Sequence, residues 1–241
     1  MDNQEIYYRR NFYDLFWDAV RLGRMAQEVQ EDDDTEFSCA RASIMSSVFS
    51  LECASNCCVE IMPSGSGFKK DVDKLPFLSK FEVFLGVMFP GKTLDRGRHE
   101  VQLVQELKTI RDSFTHPKVK RTKLIRVDSN CEFKEGAGYI SNIFGTGPTR
   151  SYDFGCTQFL NLPNTITWQA EDAISVLHAA TKFLNYFFVG LCSYDSDTIN
   201  DILRSSGEIS IPSKISYGRL DDPELKRAMD RWKLNLDFLG G

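Results

Sequence analysis

Residues 109–118 read Thr-Ile-Arg-Asp-Ser-Phe-Thr-His-Pro-Lys and hold three side chains that can do chemistry together: Arg111, Asp112 and His116. On a helix turning about 100° per residue, Leu103, Leu107, Ile110 and Phe114 form one apolar stripe. Arg111 falls on the edge of that stripe. Asp112 and His116, four residues apart, project together on the polar side. Histidine exchanges protons near neutral pH. A carboxylate one turn away and the negative end of the helix dipole both favour its protonated form. Arginine offers a planar fork suited to a phosphate. An Arg with a His is a minimal set for cleaving a phosphodiester: the Arg holds the phosphate and offsets its developing charge, and the His moves protons. When the attacking group is the 2′-hydroxyl of RNA itself, no metal and no cofactor are required. The same spacing also suits a helix C-terminal cap with a surface ion pair, and spacing alone does not separate the two.

Five cations follow the motif within nine residues, with no acid among them: Lys118, Lys120, Arg121, Lys123 and Arg126. A run of this kind is either a solvated face or a set of backbone-phosphate contacts. Phe133, Tyr139, Phe144, Tyr152 and Phe154 come next. They could stack bases or pack their own segment down. Residues 86–93, Gly-Val-Met-Phe-Pro-Gly-Lys-Thr, satisfy the phosphate-loop pattern. That loop offers successive backbone N–H groups after a strand. Pro90 has no N–H, and helical patterns lie on both sides. A nucleotide hydrolase using Lys92 is therefore a remote alternative. The seven cysteines are odd in number and contain no CxxC pair. Cys53 and Cys57 are one helical turn apart and read as small buried hydrophobes. His99 reads as an exposed helix start, and His178 as a core residue.

Positioning the motif requires long helices. Amphipathic patterns predict helices over 5–29, 36–62, 75–89, 95–116 and 167–192, the last with Thr167 as N-cap. Residues 28–36 carry six acids in nine and read as a solvated loop. Pro63, Gly65 and Gly67 break the second pattern, Pro90-Gly91 the third and Pro117 the fourth. Residues 118–166 are glycine-rich with short alternating pieces, which predicts a β-hairpin or ordered loop. The tail adds short helices at 198–204 and 223–236, and Leu239-Gly240-Gly241 reads as a frayed end. The expected fold is mainly α, an up-down bundle of four to five helices with a small β-rich insertion before the last one. The bundle with its insertion takes 1–192, and the tail packing on it takes 193–241.

Hydrophobic residues make up 42 % of the 241, enough for a sizeable core, and the net charge of −5 excludes a protein that coats nucleic acid by bulk charge. That charge is segregated, with acids at 28–36 and bases at 118–126. Asp2, Glu5, Arg9, Arg10, Asp14 and Asp18 argue against a signal peptide. The apolar run near residues 187–192 falls short of a membrane span. A cytoplasmic protein with no membrane contact is expected.

The stretch with Arg111, Asp112, His116 and Pro117 resembles the signature of the HEPN superfamily, an Arg, a polar residue, a short spacer and a His. Ser50-Leu51-Glu52-Cys53-Ala54-Ser55-Asn56 resembles the second helix of that family at Glu52 and Asn56, and residues 168–187 resemble its last helix. The resemblance spans roughly 5–192. It implies a four- or five-helix bundle, commonly a homodimer whose two motifs meet across a two-fold axis. In its ribonuclease members that cleft cuts RNA without metal, leaving a 2′,3′-cyclic phosphate and a 5′-hydroxyl. It therefore implies Arg111, Asp112 and His116 as catalytic residues, Glu52 and Asn56 as supporting ones, and single-stranded RNA as substrate. The role would be that of a toxin or defence effector with an antitoxin or regulatory protein as possible partner. Other members are non-catalytic nucleotide-binding, RNA-binding or protein-interaction modules, and that alternative stands beside the first.

Overall fold

The computed structural model describes residues 7–29, 33–115, 125–127, 137–140, 150–153, 156–163, 167–207 and 222–240. It is mainly helical. Helix α1 is Phe12–Glu28, α2 Asp33–Ile61, α3 Ser66–Asp73, α4 Phe77–Met88, α5 His99–Thr115 and α6 Ala170–Leu184. The wide π-helical turn Asn185–Leu191 continues α6, and the tail adds α7, Ser196–Leu203, and α8, Pro223–Trp232. Helix α2 is the central element and packs against α1, α3, α4, α5, α6 and α7.

Small residues let α1 and α2 approach closely. The Ser43 hydroxyl donates to the Ala19 carbonyl at 2.7 Å, and a Cβ on Gly23 would lie 3.2 Å from that hydroxyl oxygen. Other buried serines of α2 bond back into their own helix, Ser47 to the Ser43 carbonyl and Ser50 to the Ser47 carbonyl, so no hydroxyl there is left unsatisfied. The largest side chains gather on α4, α6 and the π-helical turn. The Phe187 ring lies 4.4 Å from that of Phe81 and 6.0 Å from that of Phe84, and all three are fully buried.

Several expected boundaries are corrected. The first helix begins at Phe12, not residue 5, because Tyr7–Tyr8 pairs antiparallel with Ser206–Gly207 as strands β1 and β5. Arg10 completes that junction by donating to the carbonyls of Asp201 and Arg204, which close α7. The acid run is not all loop: α2 begins at Asp33, and Asp34 and Glu36 sit in its first turn, where carboxylates favour the positive helix end. Glu36 is buried and accepts the Ala170 N–H at 3.0 Å, so it also caps α6. Helix α6 starts after Gln169 rather than Thr167, with the Asp172 carboxylate accepting the Gln169 N–H at 2.9 Å. Helix α3 fills a stretch read as a break. Phe114, expected in the stripe, is 39 % exposed.

Residues 170–191 are long and apolar enough to cross a membrane by length and composition, and half of that stretch is buried inside the fold. Burial in the fold accounts for that apolarity: Ala173, Val176, Leu177, Ala180, Phe183, Leu184, Phe187 and Phe188 all lie in the core. The described tail is also tied to the bundle. Trp232 donates to the Gln27 side chain at 3.2 Å, and Phe238 packs edge-on against Phe12 and Phe16. Leu239 and Gly240 close a 3-10 turn there and do not fray.

Within 118–166 the described backbone comprises strands β2, Ile125–Val127, β3, Ala137–Ile140, and β4, Arg150–Asp153, antiparallel in the order β2-β4-β3, and the turn at 156–163. Glu106 of α5 anchors that turn. Its carboxylate accepts the N–H groups of Gln158 at 2.7 Å, Phe159 at 3.0 Å and Leu160 at 2.8 Å. Glu106→Ala strands those donors, and a loss of about 1–3 kcal/mol in chemical denaturation is expected.

None of the six described cysteines forms a disulfide. Cys57, Cys58 and Cys192 are buried. Burial pushes the Cys192 thiol up to about 12, which keeps it protonated and unreactive.

Candidate functional site

Helix α5 carries the motif, and its apolar face fixes how the motif is presented. Val101, Leu103, Val104, Leu107 and Ile110 are buried, and α5 packs on α2 and α6 through them. The polar edge of the last two turns is thereby held over α2, where Glu52 meets it. One Arg111 nitrogen, Nη2, donates to Glu52 Oε1, and the other, Nη1, donates to Asp112 Oδ1 at 2.7 Å. Lys108, one turn earlier, donates to Asp112 Oδ2 at 2.7 Å. The result is a four-membered network of alternating charge: Lys108, Asp112, Arg111 and Glu52.

The network is semi-exposed, with side chains between 23 % and 39 % accessible. At that exposure ion pairs contribute little to stability individually. What they do is orient. The guanidinium is gripped on two edges by carboxylates from two helices, so its plane is set before any ligand arrives. The Lys108 hydrogen bond, together with the charges of Lys108 and Arg111, holds the Asp112 carboxyl below its ordinary range despite some burial. Asp112 is an anion at neutral pH and can accept a proton-bearing partner.

Two helix-terminal hydroxyls bond backward, Ser113 to the Ile110 carbonyl at 2.7 Å and Thr115 to the Arg111 carbonyl at 3.1 Å. These hydroxyls give a second donor to carbonyls that already face a backbone N–H four residues on. Phe114 lies beside Trp168, with ring centres 6.0 Å apart, and Trp168 is itself buried.

Of the residues singled out in the sequence, Arg111, Asp112 and Glu52 come together. Asn56 does not join them. It is exposed, and its side-chain oxygen accepts the Lys80 ammonium at 2.6 Å, with Asp73 also on Lys80 at 3.2 Å. Asn56 therefore holds α2 to α4. His116, Lys118, Lys120, Arg121 and Lys123 lie outside the described residues. Arg126 sits in β2, its backbone opposite Tyr152 of β4. Lys108 was missed in the sequence, although its place four residues before Asp112 is an ion-pair spacing.

The phosphate-loop match at 86–93 is not a phosphate loop. Gly86 lies inside α4, and the elements directly before it are the helices α2 and α3. Gly91 takes the left-handed conformation, φ 90°, that turns the chain after α4. Lys92 donates to the Leu191 carbonyl and lies over the Phe89 ring, 5.1 Å from its centre. Its ammonium ties two core elements together.

Among the described residues, no three His, Cys, Asp or Glu side chains are placed to share a metal ion. Comparison of the chain with family models, with curated proteins and with solved structures gives no match in any of the three.

Proposed function

We propose that this chain is a metal-independent endoribonuclease of HEPN type that works as a homodimer. The observation that supports this most is the two-edged grip on Arg111 by Glu52 and Asp112, at the partly exposed end of a long core helix. A guanidinium held this way is preorganised for a phosphate, which competes for its Asp112 edge while Glu52 keeps it in place.

The chemistry follows from the residue types. The 2′-hydroxyl of a ribose attacks the adjacent phosphorus and gives its proton to a base. The P–O5′ bond breaks, and the departing oxygen takes a proton from an acid. The products are a 2′,3′-cyclic phosphate and a 5′-hydroxyl. One imidazole cannot be base and acid in the same step, so two copies of His116 around a two-fold axis supply both. Arg111 stabilises charge on the phosphoryl oxygens. Asp112, four residues before His116, orients it. Lys118, Lys120, Arg121, Lys123 and Arg126 bind flanking phosphates of a single-stranded RNA. The bundle of four to five helices, with a β-rich insertion at 118–166 that carries these cations, is the HEPN-like arrangement. An enzyme of this kind in the cytoplasm acts as a toxin or defence effector and calls for an antitoxin or regulatory protein.

The test is incubation of the purified chain with single-stranded RNA in EDTA. Cleavage that disappears in His116→Ala supports the reading, and RNA left intact by the wild type refutes it.

A second reading has its own observation. Two cations and two anions leave the Arg111 network neutral, as a structural clamp between α2 and α5 would be. A non-catalytic binding or interaction module then follows. It predicts that Arg111→Ala changes oligomeric state or ligand affinity while no RNA is cut.

A further inference from the structure

The other two histidines, 79 positions apart in sequence, line one cavity of about 380 Å³. His99 is the first residue of α5, and Ser175, His178 and Lys182 lie at helical spacing on one face of α6. Leu103 and Phe159 form an apolar wall. The Phe159 ring packs edge-on to His99, with centres 6.3 Å apart, and its backbone is fixed by the Glu106 carboxylate. The wall is therefore built by the fold and does not wait for a ligand.

The polar side of the cavity carries the positive charge of Lys182. Lys182 forms no ion pair among the described residues. Glu106 is committed to backbone N–H groups, and Glu100 pairs with Arg98 at 3.0 Å. Arg98 in turn stacks over Tyr186, 4.4 Å from the ring centre, which ties the start of α5 to the π-helical turn after α6. Burial first and the Lys182 charge second hold His178 below its ordinary range, and a backbone contact with Trp232 opposes them. Lys182 is thus close enough for the imidazole to sense it. A metal cation would meet that ammonium and no three-donor set.

We propose that this cavity is a binding site for a small phosphate monoester, with the phosphate between His99, His178 and Lys182 and an apolar body against Phe159 and Leu103. A dianion matches the fixed charge of Lys182 and the N–H donors of the two imidazoles, and Ser175 adds a hydroxyl donor. The volume lies within the range of small-molecule sites. His99 precedes Arg111 by twelve residues on α5, about 18 Å along the axis at 1.5 Å per residue, so the site is separate from the Arg111 network. The proposal does not depend on the ribonuclease reading.

The experiment is a titration of the full chain with phenyl phosphate at constant ionic strength near neutral pH, following the imidazole C–H resonances of its three histidines. Two of them, identified through His99→Ala and His178→Gln, move along one saturating curve with Kd at or below about 1 mM. Lys182 is exposed, so Lys182→Met leaves the fold intact, as unchanged amide dispersion verifies, and it weakens binding about tenfold or more. Inorganic phosphate binds more weakly on the same two residues, and phenol moves neither. Resonances of His99 and His178 that stay still up to about 10 mM, or an affinity unchanged in Lys182→Met, overturn the site.

Discussion

Arg111→Ala is expected to slow RNA cleavage by about 10²–10³-fold, or about 2.7–4 kcal/mol of transition-state stabilisation, the loss seen when one preorganised donor is removed. The argument is geometric. Arg111 is oriented by Glu52 and Asp112, so a phosphate has only to displace the Asp112 edge of a fork already in place. Arg111→Lys is expected to restore little, because an ammonium cannot bridge the Glu52 edge and two phosphate oxygens at once. The fold should tolerate both variants. Glu52 and Asp112 are 23 % and 39 % exposed, so water takes over their vacated hydrogen bonds. Single-turnover kinetics alongside chemical denaturation separates the effects. A cleavage rate unchanged in Arg111→Ala removes Arg111 from the chemistry. A changed oligomeric state with no cleavage by any variant favours the non-catalytic reading.

Phe187→Ala is expected to be the most damaging core substitution, at about 3–5 kcal/mol. The π-helical turn Asn185–Leu191 brings Phe187 to Phe81, Phe84, Phe183 and Phe188 at once, with centres between 4.4 and 6.1 Å. A void there opens among α4, α6 and the turn, and rings on separate elements cannot all collapse into it. For a chain of this size the melting temperature should fall by about 2–4 °C per kcal/mol. Phe114→Ala is the control. At 39 % exposure and with Trp168 as its ring partner, it should cost less than about 1.5 kcal/mol. Equal losses in the two variants would contradict the placement of the core.

The pattern of periodicity carried the helices well and their ends poorly. The stripe on α5 is buried as far as Ile110, because Leu103, Leu107 and Ile110 sit at helical spacing. It ends at Phe114, which is 39 % exposed with Trp168 as its ring partner. The acid run at 28–36 misled for a reason of charge. Acids read as solvated when taken by composition, yet Asp33, Asp34 and Glu36 suit a helix start, and Glu36 is occupied by an N–H from residue 170. A partner 134 positions away leaves no local trace. The same holds for Tyr7–Tyr8, whose strand partner is Ser206–Gly207.

The site divides in the same way. The Arg111–Asp112 contact was readable as neighbours on one helix. Glu52 was suggested by resemblance, and its contact with Arg111 depends on how α5 crosses α2. Asn56, suggested with equal weight, is taken by Lys80. The cavity between α5 and α6 was invisible, because His99 and His178 each have an ordinary local explanation and only the packing of the two helices joins them.

The central claim is tested most directly by the ends that cleavage leaves. Single-stranded RNA is incubated with the chain in EDTA, and the fragment termini are identified. The wild type should leave a 2′,3′-cyclic phosphate and a 5′-hydroxyl, a substrate with 2′-deoxyribose at the scissile position should stay whole, and His116→Ala should cut nothing. Intact RNA with the wild type, cleavage of the deoxy substrate, or wild-type cutting by His116→Ala would contradict it.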